Sequence, residues 1–372
     1  MENVVYILGA GFSAPLGLPV MSNFIEVSKN LYASDNNKYK HFGRVFDNIR
    51  KRLAYVTLFY KTNLDNIEEV LSILEMERLV GRVSKEEAND YIKFIVDVIQ
   101  YFTPSIEGFN DFDQVSQGLY RVAKDSEKMP EYQLRNQIIR RDISSNYGNF
   151  VLHLFNGEIV VKGVGGDEKA NQFSEFEIQC EIDKNPSSRY SVITLNYDLV
   201  LENYAKYFSS VSLGTELKFI RSRDRRRQGL PYLVKLHGSV DNQVIIPPTW
   251  NKTITPQIDK EWETAYRLLS SANHIRIIGY SLPDSDAYVR YLLKAGILKS
   301  ENLKRIDVLC KDEDGSVKMR YDSFITLQHP KYRFCNGDVT KYLGYVGRTL
   351  PMESQHEAFY EKYEQTLRGE LG

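Results

Sequence analysis

The chain has 372 residues, 42 % of them hydrophobic, and a net charge of −1. It can bury a sizeable core, is long enough for two domains or one domain with a large insertion, and exerts no global electrostatic pull on nucleic acid or anionic lipid. The cysteines, Cys180, Cys310 and Cys335, form no CxxC pair, which excludes the common zinc-ribbon pattern and fits a reducing cytosol. No basic-then-apolar leader opens the sequence and no apolar run could span a bilayer, so a cytoplasmic location is expected.

Val4–Leu8 is a continuous apolar run, the pattern of a buried parallel strand. Gly9, Ala10, Gly11, Phe12, Ser13 and Ala14 follow and fit GxGxxA. In that pattern the first glycine permits a tight turn, the second lets backbone approach a pyrophosphate, and the small last residue lets the next helix pack closely. Backbone N–H groups at that helix start are expected to face phosphates. Pro15, Gly17 and Pro19 interrupt any regular helix, so Ala14–Met21 reads as an ordered loop over the site.

Lys40–Gln100 carries helical periodicity where a simple nucleotide-binding unit would show its second strand. In Asn66–Leu79 the residues Ile67, Val70, Leu71 and Leu74 share one face, with Asp65 as a candidate N-cap. Glu86–Phe102 repeats the pattern, and Tyr132–Phe155 reads as one or two further helices. Each stripe is read as core. Asn156–Asp167 suggests a short strand or hairpin around Ile159–Val161.

Ser191–Leu195 is a β-branched strand that delivers Asn196, Tyr197 and Asp198 at its end. In an open α/β sheet the carboxyl ends of the strands form the ligand crevice. An amide and a carboxylate there can hold a polar ligand, although Asn and Asp are also common helix caps. Leu199–Phe208 reads as a helix. Lys218–Arg227 carries six basic residues and one acid; a solvated loop is the favoured reading and a docking surface the alternative. Tyr232–Leu236 is the next strand and leads into His237, Gly238 and Ser239. Val244–Ile246 is extended and stops at Pro247-Pro248. Asp259–Ala272 is helical, and Ile275–Ile278 is a strand ending in Gly279, Tyr280 and Ser281. Asp284 and Asp286 start the helix Ala287–Leu298, where capping explains them. Arg305–Cys310 is a strand, Gly315–Tyr321 a helix, Phe324–Leu327 and Tyr332–Cys335 short extended pieces, and Glu353–Arg368 a polar amphipathic helix, read as a terminal cap or an oligomer contact.

The set GAGFSAPLGLP, TLNYD, KLHGS and IIGYSLPDSD, in that order, resembles the sirtuin fold, and within it the bacterial SIR2-like branch of anti-phage defence. The resemblance implies an α/β Rossmann-like, mostly parallel sheet. Residues 1–39 and 186–350 would form the NAD-binding domain, 40–185 a mainly helical insertion, and 351–372 a C-terminal helix. It implies NAD as substrate, with Gly9–Ser13 at its phosphates and ribose. Asn196 and His237 would be catalytic, Asp198 would lie at the nicotinamide carboxamide, and Gly279, Tyr280 and Ser281 would form a ribose-binding turn.

Two departures bear on the reaction. The deacylase Asp-Phe-Arg after the glycine turn is here Val20-Met21-Ser22, and the four-cysteine zinc ribbon is missing from the sequence. The expected activity is therefore NAD hydrolysis to nicotinamide and ADP-ribose, without zinc or another metal. Protein deacylase, ADP-ribosyltransferase and a non-catalytic NAD or ADP-ribose sensor are the alternatives. A homo-oligomer is expected, and the resemblance suggests a HerA-type ATPase partner. Neither a membrane nor direct nucleic-acid binding is indicated.

Overall fold

The computed structural model describes residues 1–59, 66–104, 145–167, 172–211, 216–224, 229–246, 258–298, 300–325, 331–347 and 352–370. The expected Asp65 cap, residues 132–144 of the reading Tyr132–Phe155, Arg225–Arg227, Pro247-Pro248 and Leu327 lie outside them.

A six-stranded sheet runs β10-β9-β8-β1-β4-β5. Its strands are β1 (Glu2–Leu8), β4 (Ser188–Thr194), β5 (Tyr232–Lys235), β8 (His274–Ile278), β9 (Arg305–Cys310) and β10 (Tyr332–Asn336). Every pairing is parallel. Taken in chain order the strands stand 3-2-1-4-5-6, the order of the doubly wound dinucleotide-binding fold, with the switch point beside β1. Both faces of the sheet are covered, so the strands are mostly apolar, and the charged residues within them, such as Lys235, Arg276 and Asp307, are buried. Val4, Tyr6 and Leu8 of β1 enter one core and Val5 and Ile7 the other, as the two-residue period of a strand requires.

The second core packs under the helices Asp259–Ser270, Ala287–Leu298 and Ser316–Phe324. The first lies under the helix Phe24–Ser34, which was not read from the sequence, and under the helices expected from Lys40 onward, now Lys40–Phe59, Ile67–Leu79, Lys85–Phe102 and residues 145–154. Their apolar stripes are core as read: Phe94 stacks edge-on against Phe42 at 4.7 Å and Phe24 at 5.8 Å. Ser84 caps Lys85–Phe102 by accepting the Glu87 N–H at 3.1 Å. The expected hairpin is longer than read: β2 (Gly157–Asp167) and β3 (Gln172–Ile182) pair antiparallel over 11 residues each.

No regular helix runs through Ala14–Met21, as read; the loop opens on a 3-10 turn, Ala14–Leu16, closed by Gly17 at φ 94. One local reading is corrected. Phe324 ends a helix rather than starting a strand; its ring lies beneath Lys294 and Arg290, at 5.2 and 5.8 Å.

The C-terminal helix Met352–Glu370 is tied to its own sheet. Glu353 receives Arg276 of β8 in a bidentate pair at 2.9 and 2.5 Å. Arg333 of β10 bridges Glu357 and Asp307, and His356 places Nε2 2.7 Å from Asp307. The helix face bearing Met352, His356 and Tyr360 is buried, so that face serves its own chain. Among the described residues no helix is long and apolar enough to cross a membrane.

Candidate active site

A cleft of about 680 Å³ opens at the carboxyl ends of β1, β4 and β8. Gly9, Ala10, Gly11, Ser13, Asn196, Asp198, His237, Gly279, Tyr280 and Ser281 all line it. Phe12 does not: its ring packs on Tyr147 at 5.0 Å and Phe150 at 5.6 Å in the first core.

The two glycine turns interlock. Gly9 N–H donates to Ile278 O at 3.0 Å and Gly11 N–H to Gly279 O at 2.9 Å. Gly279 has φ 65, and a Cβ on it would stand 2.2 Å from the Phe12 nitrogen, so no side chain fits. Phe12 N–H donates to Gly9 O at 2.9 Å. The expectation that loop N–H groups face phosphates is thus corrected for Gly9, Gly11 and Phe12. These donors hold protein carbonyls, and the glycines are needed where the β1 and β8 turns cross.

Asn196 is the pin of that crossing. Its Nδ2 donates to Gly9 O at 3.0 Å and to Ser13 Oγ at 3.1 Å. A carbonyl partner fixes which end of the amide is nitrogen. Its backbone N–H rests on Thr194 Oγ1 at 3.1 Å. Ser13 is buried and also hydrogen-bonds Asp198, whose Oδ1 accepts the Val200 N–H at 3.0 Å. Burial pushes the Asp198 carboxyl above its ordinary range; the Lys235 charge, the Val200 N–H and Ser13 oppose that rise.

His237 leaves the end of β5 and is 5 % exposed. Its carbonyl accepts the Ile246 N–H at 2.9 Å, so the turn folds back through β6 (Gly238–Ser239) and β7 (Val244–Ile245). Tyr197 stiffens this turn: its hydroxyl donates to Ile246 O at 3.0 Å and its carbonyl accepts the Val240 N–H at 3.1 Å. Nε2 of His237 lies 3.4 Å from Oδ2 of Asp286, which also accepts the Tyr280 hydroxyl at 3.0 Å.

Asp286 was read in sequence only as a cap. Lys235 was read only as part of a strand, yet it is 3 % exposed beneath the site. Cys310, Lys311, Gly337 and Asp338 extend the cleft past β9 and β10. No local motif marks them; the pairing of β9 with β10 brings them together. At the other end Leu18, Val20, Met21, Phe24 and Leu195 form an apolar wall, to which Ile99 and Asn66 add residues from the helices.

These features define a Rossmann-type α/β protein with a polar cleft at its topological switch point. Residues 190–325 match the family model described as SIR2-like domain. That span holds Asn196, Asp198, His237, Gly279–Ser281 and Asp286; the fold brings Gly9–Ser13 to it from outside. No curated protein matches. Among solved structures, one titled for the mechanism and regulation of Sir2 enzymes is 11 % identical, with 96 % of this chain and 94 % of that chain covered and a TM-score of 0.38. Another, Sir2 with a p53 peptide and NAD+, is 11 % identical over 92 % of this chain and 91 % of that one, with a TM-score of 0.32.

Proposed function

We propose that the protein hydrolyses NAD at the nicotinamide–ribose bond, giving nicotinamide and ADP-ribose, and serves as an anti-phage effector that depletes NAD. The observation that carries this reading is the convergence of Asn196, Asp198 and His237 on one cleft with the Gly9–Ser13 and Gly279–Ser281 turns. The SIR2-like domain match supports it by covering both the amide and the imidazole.

Nicotinamide in NAD is a cationic leaving group, so its departure requires no proton. The transition state is oxocarbenium-like, and the protein's task is orientation and fixed dipoles. The Asp198 carboxyl suits the carboxamide. The Asn196 amide nitrogen is committed to Gly9 and Ser13, which leaves Oδ1 as the acceptor to orient water or a ribose hydroxyl. His237 takes the proton as water oxygen bonds the anomeric carbon and the C–N bond breaks. Asp286 beside Nε2 orients the ring and offsets the charge it gains.

A hydrolase of so common a metabolite needs control. The reading therefore includes a homo-oligomer and a HerA-type ATPase partner. It is tested by incubating the protein, alone and with such a partner, with NAD and separating the products. Free nicotinamide and ADP-ribose, lost in Asn196→Ala and His237→Ala, support hydrolysis. Acyl-ADP-ribose formed with an acylated peptide points to deacylation, and ADP-ribose on an acceptor to transfer. NAD binding without turnover under every condition leaves a sensor.

A further inference from the structure

Lys235 is a lysine with almost no exposure, at the end of a strand whose other residues are apolar. A buried ammonium persists only when its donors are matched. Here Nζ has three acceptors for three protons: the backbone oxygen of Asp198, Ser239 Oγ at 3.0 Å, and Glu202 Oε1 at 3.0 Å. Each comes from a different part of the site. Asp198 follows β4 beside Asn196, Ser239 stands two residues after His237, and Glu202 lies in the first turn of the helix Val200–Val211.

We infer that Lys235 is a positioning residue for this cleft: it ties the Asn196–Asp198 loop to the His237–Ser239 turn and serves as counter-ion to the buried Asp198 carboxylate. The inference deepens the NAD reading and rests on it only where activity is measured. The ring closes around Lys235. Glu202 accepts from Arg221 at 2.7 Å, Arg221 lies 3.6 Å from Asp241, and Asp241 takes a hydrogen bond from Ser239. Glu202 is therefore held by two cations and survives the loss of one.

The electrostatics give the inference a sign. The groups acting on Asp198 are Lys235 from β5, Glu202 from its own helix, the Ser13 hydroxyl and the Val200 N–H, with buried Tyr147 facing it from residues 145–154. Lys235 favours the ionised carboxylate and Glu202 disfavours it. Removing the two charges separately must move the Asp198 titration in opposite directions. A role in packing alone predicts no such opposition.

The test is a carbon-13 NMR titration of the aspartate carboxyls in the full-length protein, with Asp198 assigned by comparison with Asp198→Asn. Lys235→Met should raise the Asp198 midpoint by about one unit or more, and Glu202→Gln should lower it. Lys235→Arg, which keeps the charge, should stay near wild type. If turnover is present, the acid limb of kcat/KM should move the same way in each variant. Should Lys235→Met fail to fold, Glu202→Gln decides by its downward shift or the lack of one. Midpoints unchanged in the folded variants, or moved in the same direction, overturn the inference. A wild type that never turns over NAD sinks the hydrolase reading and leaves the titration result standing.

Discussion

His237 and Asp286 meet through Nε2 and Oδ2 at 3.4 Å, with side-chain exposures of 6 % and 1 %. A carboxylate so placed fixes the ring and favours the imidazolium formed when the ring accepts a proton. Asp286→Asn keeps the shape and removes the charge. It should lower NAD turnover by about a hundredfold while circular dichroism and melting stay near wild type. Tyr280→Phe removes only the hydroxyl on the same carboxylate and should cost far less. Equal losses in the two variants would assign the effect to packing.

Asn196 donates to two oxygens, and this predicts an order of damage. Asn196→Ala takes one of two donors from Gly9 O, which keeps the Phe12 N–H, and removes the amide donor on Ser13 Oγ; it should abolish turnover. Asn196→Asp should be worse for stability, since a carboxylate would face the Gly9 carbonyl across about 3.0 Å. Thermal melting of the two variants side by side checks this; a melting point for Asp above that for Ala would contradict the donor assignment.

The interlocked turns predict a contrast between glycines. Gly279→Ala drives a Cβ into the Phe12 nitrogen at 2.2 Å and keeps a left-handed φ of 65. It should destabilise the protein by several kcal/mol, at or above the ~3 kcal/mol of a severe substitution. Gly17 is also left-handed but meets nothing within 4 Å, so Gly17→Ala should cost only the backbone term of about 1–2 kcal/mol. Urea unfolding of both variants gives the comparison.

Acid should loosen the C-terminal helix. Burial first, then repulsion from Arg276, hold His356 down to about 4 against the pull of Asp307. The unfolded histidine titrates near 6.5, so between these values the unfolded chain binds more protons and stability falls as pH falls. From pH 7 to 4.5 the loss from this group is about 2–3 kcal/mol. Asp307, held well below the ordinary carboxylate range by His356 and Arg333 despite its burial, adds its own loss at lower pH still. Denaturant unfolding at a series of pH values should show the slope. His356→Gln should flatten it without abolishing it, since burial also lowers His41 and His153. An unchanged slope in that variant would exclude His356 as its source.

The strand ends were legible because each pairs an apolar run with a polar or glycine break: Val4–Leu8 with Gly9, Ser191–Leu195 with Asn196, Ile275–Ile278 with Gly279. Asp286 was not legible, since a carboxylate before a helix is already explained by capping, and only the fold turns it toward His237. Lys235 was hidden for the opposite reason. A lysine at a strand end looks solvated, and its three acceptors come from distant stretches of sequence. Arg276 is the same case within HIRII: its burial follows from Glu353, far along the chain. The glycines of GxGxxA were legible as points of close backbone approach, but not their approach to the turn after β8, which lies far along the chain.

The crossing of the β1 and β8 turns also fixes when the cleft can exist. Gly11 rests on Gly279, and β1 sits between β4 and β8, so the oldest strand of a growing chain waits for one of the latest. Such long-range parallel pairing is slow to form. A nascent chain that has reached His237 already carries the amide, the carboxylate and the imidazole, yet has no second turn to close on the first. The complete cleft is thereby withheld until the sheet is threaded through its centre.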